Sequence, residues 1–170
     1  MPWRCHGWRP AGPITLAAVS DGPFVPDDFD VPDGVAGDGF RLAPLGPEHN
    51  DADYVAWTSS IDHIRATPGF EGATWPRPAS LDDNLRDLEA HRDDYEQRRG
   101  FTYTVLDPDG DVIGCVYIYP FDDPDVDARV RSWVSAANAH LDRPLWRTVS
   151  DWLASSWPFG QVAYAPRPPT

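Results

Sequence analysis

His63 and Arg65 stand just ahead of Thr67-Pro68-Gly69-Phe70, and Arg129, Arg131 and Trp133 alternate along the run 128–134. An imidazole beside a guanidinium where a helix gives way to a turn can bind or position a substrate. Equally, a surface histidine near a helix C-terminus is favoured by the dipole alone. In the second group, if Ala128, Val130, Ser132 and Val134 face one way, the two arginines and the tryptophan face the other. That second face either lines a groove or packs under a helix.

Other chemistries are excluded by what is missing. All 14 basic residues are arginine. A P-loop, a Schiff base and a pyridoxal site each need a lysine, so none can operate here. There is no Gly-x-Ser-x-Gly elbow and no His-Glu-x-x-His pair. Asp107, Asp109 and Asp111 have the opening of a calcium loop, but Val112 stands where such a loop needs glycine and Ile118 where it needs a bidentate glutamate. A solvated turn is the better reading, and the acidic run 122–127 has no ligand pattern either. His6, His49, His63, His91 and His140 form no pair at a metal spacing, so no metal is expected. Cys5 and Cys115 are too few for a disulfide framework, which points to a reduced, cytoplasmic protein.

Against 27 acidic residues the 14 arginines leave a formal net charge of -13 on 170 residues, with no basic block anywhere. Nucleic acid and anionic membrane are therefore not expected as partners. No apolar run reaches the ~20 residues of a membrane helix. The apolar core of residues 14–19 is shorter than the ~7 to 15 residues of a signal peptide, so secretion is not expected.

The elements that must position these groups read as follows. Residues 1–37 are rich in proline, glycine and aspartate without a sustained period, and read as a mostly disordered arm; residues 166–170 read as a tail. Residues 40–45 begin as a strand. Asn50 and Asp53 form a capping box for a helix carrying Tyr54, Trp57, Ile61 and Ile64 on one face. Ser80 and Asp83 repeat that logic for a second helix through Leu81, Leu85, Leu88 and Tyr95, stopped at Gly100. Residues 101–106 and 112–119 form a hairpin across Asp107-Pro108-Asp109-Gly110, and 128–134 is a half-buried strand. Asp142 caps a third helix that turns Leu145, Val149, Trp152 and Leu153 inward, and 161–165 is a last short strand. The order gives a mixed α/β layer with a crossover helix near its end. Of the tryptophans, Trp57, Trp146 and Trp152 fall on core faces.

This order, with Gly114-Cys115-Val116-Tyr117-Ile118-Tyr119 as one strand and Val130-Arg131-Ser132-Trp133-Val134 as the next, resembles the GNAT superfamily of acetyl-CoA-dependent N-acetyltransferases. The opening Phe40-Arg41-Leu42-Ala43-Pro44-Leu45 before a capped helix is similar to that family's first strand and helix. The resemblance implies a single GNAT-like domain over 38–165, an α/β fold with a mixed, mostly antiparallel central sheet and flanking helices. It also implies that the strand ending at Trp133, Val134 and Ser135 holds the pantetheine arm through its backbone. The family's pyrophosphate loop aligns with Ala139-His140-Leu141-Asp142-Arg143-Pro144, where none of the three signature positions matches. Pro144 removes a donor and the Asp142 carboxylate competes for the rest, which is unfavourable for phosphate. Arg143 and Arg147 either grip the ligand by side chain or neutralise Asp142 and Asp151.

As the resemblance implies, the function is acetyl-CoA-dependent transfer to a primary amine of a small molecule or peptide. Val134 N–H would stabilise the oxyanion, Tyr117 or Tyr119 would be the acid, Asp127 the base, and His63 and Arg65 substrate contacts. The alternative is a non-catalytic GNAT-like binding or regulatory protein that has lost the pyrophosphate site. The acidic surface favours a cationic acceptor. The family continues past the strand at 161–165 where this chain stops, so the acceptor wall falls to the first helices and the hairpin, or to a second subunit. Val162, Tyr164, Trp157 and Phe159 make that edge apolar and point to a homodimer.

Overall fold

The computed structural model describes residues 23–169. Six strands form one sheet in sequence order: β1 (Ala36–Gly37), β2 (Phe40–Pro44), β3 (Phe101–Leu106), β4 (Val112–Tyr119), β5 (Ala128–Val134) and β6 (Val162–Tyr164). Each neighbouring pair is antiparallel except β5 and β6, which run parallel. Short polar turns suffice for the antiparallel pairs. At the β3–β4 hairpin the Asp107 carboxylate accepts from Asp109 N–H and Asp111 N–H, both at 2.9 Å, so the trio of aspartates is a self-satisfied turn. The parallel pair needs a crossover, supplied by α4 (Asp142–Ser156).

Each face of the sheet has its own core. Phe101, Tyr103, Val105, Val116, Ile118, Ala128, Val130 and Val134 alternate onto one face, where Leu145, Val149, Trp152 and Leu153 of α4 and the aromatic Trp157 cover them. Cys115 and Trp133 point to the other face, beneath Trp57 of α1 (Asn50–Thr58), Ile64 of α2 (Ile61–Ala66) and Leu88 of α3 (Leu81–Glu96). The two-residue period of the strands and the helical period of α3 and α4 thus produce the expected layers. At Gly114 the strands approach so closely that a β-carbon would lie 2.2 Å from the Trp133 carbonyl oxygen, which requires glycine.

Several local expectations are corrected. From residue 23 on, the arm is packed: Val25 is buried, Phe24, Phe29, Val31 and Val35 lie against the core, and Tyr103 Oη donates to the Pro32 carbonyl at 2.6 Å. Arg98 takes up the carbonyls of Pro26 and Phe29. Residues 1–22 lie outside the described part. The tail is equally integrated, since Arg167 is buried. The expected first helix is two, α1 and α2, broken where Thr58 and Ser59 hydroxyls bond back to Tyr54 and Ala56 carbonyls. Asn50 does not cap α1, because a 3-10 turn at Pro47–His49 already starts the helix; Asn50 and Asp53 instead receive the Asn84 amide of α3. The Ser80–Asp83 box stands as expected, with Asp83 N–H donating to Ser80 Oγ and Ser80 N–H to Asp83 Oδ2.

Candidate functional site

β5 and β6 pair from Ala128↔Val162 to Val130↔Tyr164 and then part. Ser135 N–H donates to the Ile113 carbonyl on the β4 side. By antiparallel alternation, the odd residues of β5 therefore turn their peptide groups to β4, and Val130, Ser132 and Val134 turn theirs toward the β6 side. Beyond Val130 this leaves a slot between diverging strands, walled on one side by the peptide groups of Ser132 and Val134. Ser135 beside it is engaged locally, its hydroxyl accepting from Asn138 at 2.8 Å.

Arg167 enters that slot. Its guanidinium donates to the Ser132 carbonyl at 3.0 Å, to Ser132 Oγ at 3.2 Å, to the Pro68 carbonyl at 3.1 Å and to the Ala165 carbonyl at 3.0 Å. It also grips Asp142 with a two-point ion pair at 2.7 and 3.1 Å. Tyr164 closes the same corner, its hydroxyl 2.5 Å from Ser132 Oγ and its ring 5.7 Å from the guanidinium, and burial pushes its phenol up. Asp142 is thus not the helix cap expected of it. A 3-10 turn at Ala136–Leu141 runs straight into α4, so Leu141 occupies the cap position and the Asp142 carboxylate turns to Arg167. Arg143 lies half-buried on the first turn of α4, and Arg147 is exposed one turn on.

Beside the paired part of β5 and β6 lies a groove of about 310 Å³ lined by Gly69, Phe121, Arg129, Arg131, Tyr164 and Ala165. Gly69 has φ +97°, and its turn packs against the cleft. Arg129 lies over the Phe121 ring at 4.9 Å and Arg131 over Phe70 at 5.7 Å. Among the described residues neither guanidinium has an ion pair or hydrogen bond, and Arg131 Nε is buried without a partner. Burial draws both guanidinium groups below their ordinary value, and the charge of Arg129 adds to the effect on Arg131. The face carrying Arg129, Arg131 and Trp133 therefore does both things open from the sequence. The arginines line a groove, and Trp133 is fully buried under the helices, donating from Nε1 to Tyr117 Oη at 3.1 Å.

Of the remaining expected site residues, Tyr117 sits opposite Arg131 on β4 at this same face. His63 is half-buried on α2 with Nε2 lacking a partner, and Arg65 donates to the Pro76 carbonyl at 3.0 Å. Tyr119 is placed elsewhere: its hydroxyl is 2.7 Å from His91 Nδ1 and donates to Asp94 Oδ2 at 3.2 Å, in a network with Thr102 beneath α3. Asp127 accepts from Gly160 N–H and Gln161 N–H at 2.7 and 2.8 Å, bonds that hold its carboxyl below the usual range. A carboxylate held that way is a poor base and a good loop clamp. Trp157 is buried and Phe159 stacks on it and on Phe24, so neither offers an apolar edge to a second subunit.

Sequence reasoning did not find Arg167. Its partners Asp142, Ser132 and Pro68 are 25, 35 and 99 residues away, so no local pattern announces it. Asp53 was read as half of a cap; buried beside Asn84 and Asp87, its carboxyl is pushed up to about 7. Among the described residues no group of His, Cys, Asp and Glu is arranged to hold a metal, and no helix is long and apolar enough to cross a membrane.

No protein-family model matches the chain, and no curated protein does. Solved structures do. A probable acetyltransferase superposes with TM-score 0.58 at 14% identity, over 77% of this chain and 72% of that one. RimJ from Mycobacterium smegmatis, solved with CoA-disulfide, gives 0.55 at 14% identity over 76% and 63%. The ribosomal-protein-S5-alanine acetyltransferase from Vibrio fischeri gives 0.54 at 13% identity over 73% and 67%. At such identities the similarity lies in the backbone alone, a single domain with one curled mixed sheet and flanking helices. The chain has the GNAT fold.

Proposed function

We propose that the protein is an acetyl-CoA-dependent N-acetyltransferase acting on a primary amine of a small molecule or peptide. The observation supporting this is the parting of β6 from β5 beyond Val130, where the peptide groups of Ser132 and Val134 turn away from β4 toward a slot that the Arg167 guanidinium fills. With Arg167 displaced, those peptide groups would suit a pantetheine arm, whose amides need such partners. Acetyl-CoA, when bound, supplies the thioester carbon that the amine attacks. Val134 N–H is the oxyanion donor in this reading. Tyr117, whose oxygen accepts from Trp133 Nε1 at 3.1 Å, is the acid for the departing thiolate in this reading. The groove beside Arg131 receives the acceptor, and it is built within one chain.

The start of α4 does not suit a pyrophosphate: Pro144 offers no N–H, Asp142 is a like charge, and Arg167 occupies the slot. That pair specifically favours a second reading, a GNAT-fold binding or regulatory protein without acetyl transfer. Calorimetry with acetyl-CoA separates the two. Binding to the native protein, or to Arg167→Ala if not to the native protein, supports the first reading. No binding to either, with both folded, leaves the second.

A further inference from the structure

We propose that the groove beside β5 is a carboxylate-binding site, with Arg129 and Arg131 as its paired anion ligands, and that an acceptor handled there bears a carboxylate; the word acceptor rests on the acetyltransferase reading, the site does not. Arg129 and Arg131 leave the same side of the strand with their α-carbons about 7 Å apart, and both line the one groove. In a chain of net charge -13 with 27 acidic residues, both remain without a carboxylate partner among the described residues. Glu71, whose charge acts on Arg131, forms no ion pair with it and accepts from Gly69 N–H at 2.7 Å. The buried, unpartnered Arg131 Nε is a donor without an acceptor, the kind of group that a ligand satisfies at low cost.

The aromatic rings of Phe70 and Phe121 hold the two side chains in place, and each leaves the guanidinium edge available for hydrogen bonding. Phe121 and Ala165 add apolar contact beside the arginines, which suits the body of a small organic acid. A carboxylate is favoured over a phosphoryl group because the field of so acidic a protein opposes a dianion more strongly than a monoanion. A carboxylate-bearing acceptor is the opposite of the cationic one expected from net charge, and the proposal confines it to this groove.

Benzoate, benzamide and phenyl phosphate are the probes, read by the Arg131 Nε–H resonance in nitrogen-15 spectra and by calorimetry, without coenzyme A. Benzoate should bind saturably and at least tenfold more tightly than isosteric benzamide, and salt should weaken it. Arg129→Gln, the milder change because Arg129 is the more open side chain, should weaken benzoate severalfold, and Arg129→Gln with Arg131→Gln should abolish it. Equal affinity for benzoate and benzamide, no saturable binding, or benzoate binding unchanged in Arg129→Gln would overturn the proposal. Phenyl phosphate binding more tightly than benzoate would overturn the carboxylate assignment. Should acetyl-CoA fail to bind the native protein and Arg167→Ala while benzoate binds, the acetyltransferase reading falls and the anion site stands.

Discussion

Replacing Arg167 by alanine perturbs stability and ligand affinity in opposite directions, and both effects can be sized. The Arg167 side chain is 2% exposed and that of Asp142 20%. Removing one partner of a buried ion pair costs about 3 to 5 kcal/mol. The partial exposure of Asp142 lets its carboxylate regain some water, which places the loss near the lower figure, about 3 kcal/mol. For a domain of this size that corresponds to a fall in Tm of roughly 6 to 12 °C. The native protein must break the same contacts before acetyl-CoA can enter the slot. At about 1.4 kcal/mol per tenfold, Arg167→Ala should bind acetyl-CoA on the order of 100-fold more tightly than the native chain. Asp142→Ala and the double variant complete a cycle whose coupling should be about 2 kcal/mol. Differential scanning calorimetry gives the stabilities and titration calorimetry the affinities. If Arg167→Ala binds acetyl-CoA more weakly than the native protein, Arg167 is a ligand of the cofactor and the reasoning that it blocks the slot is refuted. A fall in Tm below about 2 °C would refute the energetic part.

Asp53→Asn tests the buried carboxyl: its folded value of about 7 lies above the ordinary 3.8, so the stability tied to its protonated form is complete below about pH 4 and is lost as pH rises to 7. Urea unfolding should show the variant little changed at pH 4 and more stable than the native protein at pH 8, by up to about 4 kcal/mol; equal stability at both pH values would rule out a buried neutral acid. Tyr119→Phe should lower stability by about 0.5 to 1.5 kcal/mol, because His91 keeps Thr102 and Asp94 keeps Arg99, while acetyl-CoA affinity and any transfer rate stay unchanged; a selective loss of rate would return Tyr119 to the reaction. With Trp157 buried, Phe159 half-buried and stacked on it, and Tyr164 turned to Ser132, β6 has little left to offer a partner, so sedimentation at micromolar concentration should show a monomer. A dimer that Val162→Lys dissociates would restore the expected homodimer.

Where the sequence was readable, a repeating environment imposed a repeating pattern. Leu88 lies on the α3 face that meets the sheet, Leu145, Val149 and Leu153 recur along α4, and the strands of the hairpin alternate because each has two covered faces. The packed part of the arm has no such period. Phe24, Val25, Phe29, Val31 and Val35 cover the core from an irregular chain whose carbonyls are taken up by Arg98 and Tyr103, and irregular contact leaves no frequency to detect. Asp142 misled for a different reason. An aspartate ahead of a helix is a good cap by local rules, and only a guanidinium 25 residues further on overrules them. The arginine face of β5 was visible from alternation, but whether it met helix or solvent depended on where Phe70 and Phe121 fell.

One guanidinium, that of Arg167, joins Ser132 at the slot to Pro68 at the turn whose next residue, Gly69, lines the groove. The two cavities therefore do not act independently. Whatever enters the slot and displaces Arg167 strips the Pro68 carbonyl of its donor, and so changes the groove's affinity by some factor. Reciprocity then requires a groove ligand to change affinity at the slot by that same factor. Two-ligand binding to this chain is accordingly non-additive, and with turnover the order in which the ligands arrive becomes a property written into a single side chain.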